Sequence, residues 1–360
     1  MNRSARVLFA MFQGGGNIPL IIPVVARLAA RGHQVRIMAG PGVRHSRLPV
    51  STTFLQRINA AGATLVPFPD PDVHPMDHAP PARGLIGGWV PKPFWFVQRE
   101  AQATLWAPVW ADRIAAELRR EPADVVVSDF VLLGALVAAE AAGIPAVVLM
   151  HTVLSRPVSG VPPYGPGLLP ARGALGFLRD VLGRATVDRV HVRNGGPPLN
   201  RARALLGLPP LRSPFEQYDT AERVLVLTSP AFDYAAQHQA PNVRHVGTPF
   251  DDAGSASWSL PWPSHDSRPL VLVSLSTLEQ GQAAVMQRVV QAFAPLAVRG
   301  LVTLGPALDP AQFRAPPNVR LEAFVPHSAV LPHARAMVTQ CGLGTLMKAL
   351  AWIIREDRQD

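Results

Sequence analysis

The stretch from Val319 to Leu350 limits what this chain can fold into more than any other. Val319–Phe324 reads as an extended piece closed by a Pro326 turn, followed by a brief helical segment. The apolar run Ala336–Thr339 then leads into Gln340-Cys341-Gly342-Leu343-Gly344-Thr345. From Gly344 onward, Leu346, Met347 and Leu350 fall on one helical face. A strand, a glycine turn and a helix start, in that order, suit a parallel α/β sheet and build an anion site. Glycines let the backbone approach a phosphate, and first-turn amides have no intrahelical partner. Taken alone, Gly-x-Gly before a helix serves equally well as a plain structural turn.

The same alternation recurs along the chain. Arg6–Met11, Val35–Met38, Ala123–Ser128, Ala146–Met150, Val224–Thr228, Leu270–Leu275 and Leu301–Leu304 read as strands. Helical patterns over Asn17–Ala30, Leu133–Ala142 and Ala283–Phe293 lie between them, which predicts a doubly wound α/β architecture. A length of 360 residues suits two domains. Thr248 to Arg268, with Pro249, Pro261, Pro263 and several serines and aspartates, reads as a linker. Residues 1–247 and 269–360 are then the two domains, both Rossmann-like. Val50–Pro93 is rich in Pro, His and Asp, and regular structure is not expected there. Ser155–Pro214 is expected to be loop-heavy, broken by Gly195-Gly196-Pro197-Pro198, with helical patches only at Leu175–Leu182 and Arg201–Leu206.

Composition narrows the partners. Hydrophobic residues make up 48% and charged residues 16%, which excludes extended disorder. The net charge of +9 is almost all arginine, and the arginines are scattered rather than clustered. The codon bias of a GC-rich genome, together with a taste for anionic phosphates, explains that balance better than nucleic acid. Cys341, the single cysteine, leaves no internal disulfide and fits a reducing compartment. The chain opens on a strand without a signal-peptide pattern, and no apolar run is long enough to span a bilayer. A cytoplasmic protein is expected.

Several positions could carry chemistry. Gly14, Gly15 and Gly16 follow the first strand, where they either permit tight helix packing or form a binding loop. Asn17 can cap the helix after them, with Pro19 tolerated in its first turn. Asp129 sits at the carboxyl end of a strand, where open α/β sheets place ligands, although it could simply cap the next helix. His151 lies just past the following strand. His74, Asp77 and His78 match no zinc spacing, and no metal is expected. Trp95, Trp106 and Trp110 fall in an expected helix, as core or as a ligand wall.

Val325-Pro326-His327, Leu331-Pro332-His333-Ala334, the Val338-Thr339 strand end and Cys341-Gly342-Leu343-Gly344-Thr345 together resemble the donor-binding signature of family 1 glycosyltransferases of the GT-B fold. The bacterial enzymes that glycosylate macrolides and other natural products are the most similar kind, and the resemblance runs from Arg6 almost to Leu350. Ala30–Val35, Ala-Arg-Gly-His-x-Val, resembles an element of their acceptor domain. The resemblance implies two Rossmann-like domains facing a cleft and a nucleotide-sugar donor, with Phe324 and the Val325 backbone near the base. The turn with Gly342, Gly344 and Thr345 would take the diphosphate, and the hydroxyls of Ser276 and Thr277 would face it. An apolar acceptor would lie by Gly15, Gly16, Trp95 and Trp106. The nucleotide-sugar is a substrate, and no cofactor is implied.

The sequence also departs from that pattern. Asn17 occupies the position of the histidine base that pairs with the Asp at 129, and Asn cannot accept a proton near neutral pH. Asp129, directly or through water, and then His151 are the replacement candidates. Gln340 stands where the family has a histidine on the diphosphate. Lys348 stands where many relatives place a glutamate on the ribose hydroxyls, which would suit dTDP better than UDP. After Ala351 the family's Gly-x-Pro and its acidic-Gln loop are not found, so the resemblance implies an incomplete second domain with an exposed sheet edge prone to self-association. Slow or absent turnover is therefore expected. The readings in order are an inverting glycosyltransferase acting on an apolar small molecule, a degenerate binding or partner protein, and a nucleotide-sugar epimerase of the same fold.

Overall fold

The computed structural model describes residues 4–12, 16–40, 52–69, 97, 101–234, 240–250, 258–275, 282–305 and 308–356. The chain divides into two compact units. One comprises Met1–Gln13 with Ile22–Gly247, the other Thr248–Asp360 with Gly14–Ile21.

In the first unit the strands are β1 (Arg6–Phe12), β2 (Gln34–Gly40), β3 (Thr64–Val66), β4 (Val125–Asp129), β5 (Ala146–Met150), β6 (Arg223–Val226) and β7 (Val243–His245). They form one parallel sheet in the order β3-β2-β1-β4-β5-β6-β7. Leu8, Val126, Val148 and Val224 are fully buried, because helices cover both faces of such a sheet and favour largely apolar strands. The helices are α1 (Ile18–Ala30), α2 (Thr52–Ala60), α3 (Ala107–Arg120), α4 (Leu133–Ala141), α5 (Gly173–Asn194) and α6 (Gly196–Leu205). Between α3 and α4 the backbones touch. A Cβ at Gly134 would collide with the carbonyl of Ala107, so only glycine fits that crossing.

Two stretches expected to be irregular contain regular elements among their described residues. Within Val50–Pro93 lie α2 and β3, seated by Ile58 and Val66 in the core and separated by Gly62 at φ +79°, the left-handed turn that ends a helix. Between Ser155 and Pro214, α5 runs 22 residues and α6 begins at once. Pro197 and Pro198 fall in the first turn of α6, where a missing N–H breaks no helical bond. The Gly-Gly-Pro-Pro breaker is thus a junction between helices.

In the second unit β8 (Leu270–Ser274), β9 (Arg299–Thr303), β10 (Val319–Glu322) and β11 (Ala334–Thr339) form a parallel sheet in the order β10-β9-β8-β11. Helices α7 (Ala283–Ala292), the short α8 (His327–Val330) and α9 (Leu343–Glu356) accompany it. Val273, Met286, Val290 and Phe293 make one core cluster, and Leu270, Leu272, Val325 and Val330 another. Trp258, Leu260 and Trp262 pack on the second of these. The later part of the expected linker therefore belongs to this unit's packing. Among the described residues no helix is long and apolar enough to cross a membrane.

Candidate active site

In a doubly wound sheet the chain winds first to one side and then to the other, and a crevice opens at the carboxyl ends of the two strands where it reverses. In the first unit that point lies between β1 and β4, and in the second between β8 and β11. Asp129 is the last residue of β4, and Gln340-Cys341-Gly342 follows β11. Both of the polar sites expected from the sequence therefore stand where strand order alone would put a ligand.

Asp129 is buried at 1% exposure. Its Oδ1 accepts from the Val131 N–H at 3.2 Å, and its Oδ2 lies 3.1 Å from His151 Nε2. The following helix starts too late for Asp129 to be its cap, since Leu132 occupies that position. The carboxylate instead holds the β4–α4 turn on one side and an imidazole on the other. Register explains the meeting. Asp129 pairs with Leu149 across β4 and β5, and His151 comes one residue after β5 ends. The imidazole is enclosed by Phe130, edge-on at 4.9 Å between centroids, and by Phe12 at 6.1 Å, yet 17% of its side chain stays accessible. Burial disfavours the imidazolium, but the charge of Asp129 beside it outweighs that and raises the His151 pKa above 6.5. With Nε2 turned to the carboxylate, Nδ1 is the nitrogen left to take a proton.

In the second unit, Cys341 adopts φ 62°, the left-handed region, and its N–H meets Thr339 Oγ1 at 3.2 Å. Leu346 N–H to the Gly342 carbonyl, at 3.0 Å, is an early bond of α9. Gln340, Cys341 and Gly342 are exposed, while Gly344 and Thr345 are partly buried in the first helical turn. A Cβ at Gly342 would meet nothing within 4 Å, so packing does not demand glycine there. Phe324 is 76% exposed beside the buried Val325. Burial, and then the charge of Lys348, push the His327 pKa down to about 4, which places Lys348 near the start of α8.

The remaining expected positions are distributed as follows. Gly15, Trp95, Ser276, Thr277, His74, Asp77 and His78 lie outside the described residues. Gly16 is exposed, and Asn17 is 1% exposed with its carbonyl accepting from Leu20 and Ile21 N–H at the start of α1. Both belong to the stretch that groups with the second unit. Trp106, at 1% exposure, packs with Trp110 in the first unit's core, which leaves it no open face for an acceptor. Sequence reasoning missed Phe12 and Phe130, and it treated Asp129 and His151 as rivals. No count along the sequence brings the last two together, because their meeting depends on the register of β4 against β5.

No family model matches the chain. It is 31% identical over 359 residues to a 4'-demethylrebeccamycin synthase of Lentzea aerocolonigenes, covering 96% of this chain and 80% of that one. Its fold is similar to that of CalG4, the calicheamicin glycosyltransferase, with a TM-score of 0.64 at 23% identity over 97% of this chain and 78% of that one. It is also similar to the glycosyltransferase VinC in complex with dTDP, with a TM-score of 0.57 at 20% identity over 96% of this chain and 79% of that one. Two doubly wound units, each with a polar group at its switch point, agree with the fold of those structures. This chain belongs to the GT-B glycosyltransferases of natural-product pathways.

Proposed function

We propose that the chain transfers a hexose or deoxyhexose from a nucleotide-sugar, with inversion, to a hydroxyl of an apolar small molecule, and that His151 is its base. The contact of His151 Nε2 with Asp129 Oδ2, 3.1 Å at the switch-point end of the first sheet, carries this reading. Asp129 fixes the imidazole's tautomer and stabilises its protonated form, the role a buried carboxylate plays beside other catalytic histidines. The acceptor oxygen attacks the anomeric carbon as its proton passes to His151 Nδ1. The bond to the leaving oxygen breaks, and the nucleoside diphosphate departs with the electron pair. Backbone amides at the start of α9, with Gln340 and Thr345, stabilise the developing charge. Lys348, which cannot accept from ribose hydroxyls, favours dTDP over UDP. The dTDP complex of VinC accords with that donor class.

The test is transfer from dTDP- and UDP-sugars to a panel of apolar aglycones, followed by mass spectrometry, with the anomeric configuration of the product read by NMR. Slow wild-type transfer with inversion, lowered a further ~10²–10⁴-fold in His151→Ala, is the expected result. Retained configuration would contradict the single displacement. Donor binding without transfer by the wild type would favour the binding-protein reading, which Asn17 at the usual base position supports.

A further inference from the structure

A second imidazole–carboxylate pair stands two strands away from His151, at the same end of the first sheet. Met150 of β5, Val226 of β6 and His245 of β7 lie in one register row. His245 Nε2 lies 3.0 Å from Asp233 Oδ2, with side chains only 10% and 6% exposed. The same Oδ2 accepts from the Leu154 N–H at 2.8 Å. Asp233 thus spans from the last residue of β7 to the loop that carries His151. Residues 151–155 open the loop that runs from β5 to α5, residues 151–172, and leave the sheet immediately after β5. At the near end of this opening stretch Leu227 N–H donates to the Met150 carbonyl at 2.9 Å, and at its far end Ser155 N–H lies 3.4 Å from Met150 Sδ. The turn holding Asp233 is itself braced, because Phe232 and Asp233 N–H donate to the Ser229 carbonyl and Tyr234 N–H donates to Asp233 Oδ1. A buried carboxylate costs free energy unless it is paired, and this one is paired with His245, with its neighbour Tyr234 N–H and, across 79 residues of sequence, with the Leu154 N–H of the loop.

We infer that Asp233 and His245 form a latch that fixes the His151 loop and so holds the imidazole against Asp129, making both of them positioning residues for the transfer. The inference rests on the His151 base reading and extends it to a pair that touches no reacting atom. Without the latch, Leu154 N–H loses its acceptor, the loop can shift, and a base misplaced by about 1 Å loses much of its effect.

NMR titration of His151 in the full chain tests this, since Asp129, Phe12 and Phe130 are the groups packed on that ring. In wild type His151 should titrate above 6.5. In Asp233→Ala it should fall back toward 6.5, whereas Asp233→Asn, whose side-chain oxygen still accepts from Leu154, should stay close to wild type. A general loss of stability would lower the melting temperature without moving the titration of the folded protein. Should Asp233→Ala fail to fold, His245→Ala, which removes the side chain that holds Asp233 Oδ2 in place for Leu154, should shift His151 in the same downward direction. An unchanged His151 in the folded Asp233→Ala, or in His245→Ala, overturns the latch alone. An unchanged His151 in Asp129→Asn overturns the base reading and the latch with it.

Discussion

Asp129 serves two partners with one carboxylate, and the two duties separate by substitution. Asp129→Asn keeps an oxygen for the Val131 N–H but removes the charge that His151 faces. The fold should survive, as read by circular dichroism. Because His151 is raised in the folded state, its pairing stabilises the protein fully below 6.5 and loses that contribution as pH rises through the raised value. Asp129→Asn should therefore flatten the fall in stability above pH 6.5, measured by urea unfolding across pH. A wild-type pH dependence in that variant would show that the pair does not form. Each of these residues was visible in the sequence, one at a strand end and one just beyond the next. Their contact was not, because it depends on the register between β4 and β5, which no local pattern encodes. Asp233 and His245 were harder still, since a 12-residue separation across a turn carries no periodic signal.

At the scale of elements, the crossing of α3 and α4 positions the turn that Asp129 begins. Gly134→Ala must push the helices apart, and overpacking of this kind typically costs about 1–3 kcal/mol. A thermal melt should record the loss, and an unchanged melting temperature would mean that the helices are not in backbone contact. Gly342 is the opposite case, with open space around it. Gly342→Ala should leave the melt unchanged yet weaken dTDP binding by calorimetry, because a methyl group would stand where the proposed donor site brings a phosphate to the backbone. Unchanged affinity would remove the turn from the donor site. The strand–turn–helix at Ala334–Glu356 was legible because glycine spacing and helical periodicity agree there. The helix α2 was not, hidden in a stretch whose proline content dominated the reading. The Gly-Gly-Pro-Pro junction misled for a related reason, since proline breaks a helix interior but tolerates its first turn.

Across the whole molecule, the alternation of strands and helices made the doubly wound architecture readable, whereas the later part of the expected linker proved to be packed by Trp258, Leu260 and Trp262. Two histidines whose pKa values burial lowers should make the fold sensitive to acid. Burial, only partly offset by the Val187 carbonyl and Asp188, holds His191 down at about 4. Its neutral form is favoured by folding, so that contribution is complete above 6.5 and is lost as pH falls toward about 4, on the order of 3 kcal/mol. His327 acts in the same direction in the second unit. His191→Leu should reduce the acid sensitivity of urea unfolding, and an unchanged slope between those pH values would contradict the assignment. The most direct test of the central claim is the pH–rate profile of sugar transfer from a dTDP-sugar. If His151 is the base, held charged by Asp129, the rate should rise with pH through an inflection above 6.5, and Asp129→Asn should move that inflection to lower pH while lowering the plateau. A profile with the same inflection in wild type, Asp129→Asn and His151→Ala would contradict it.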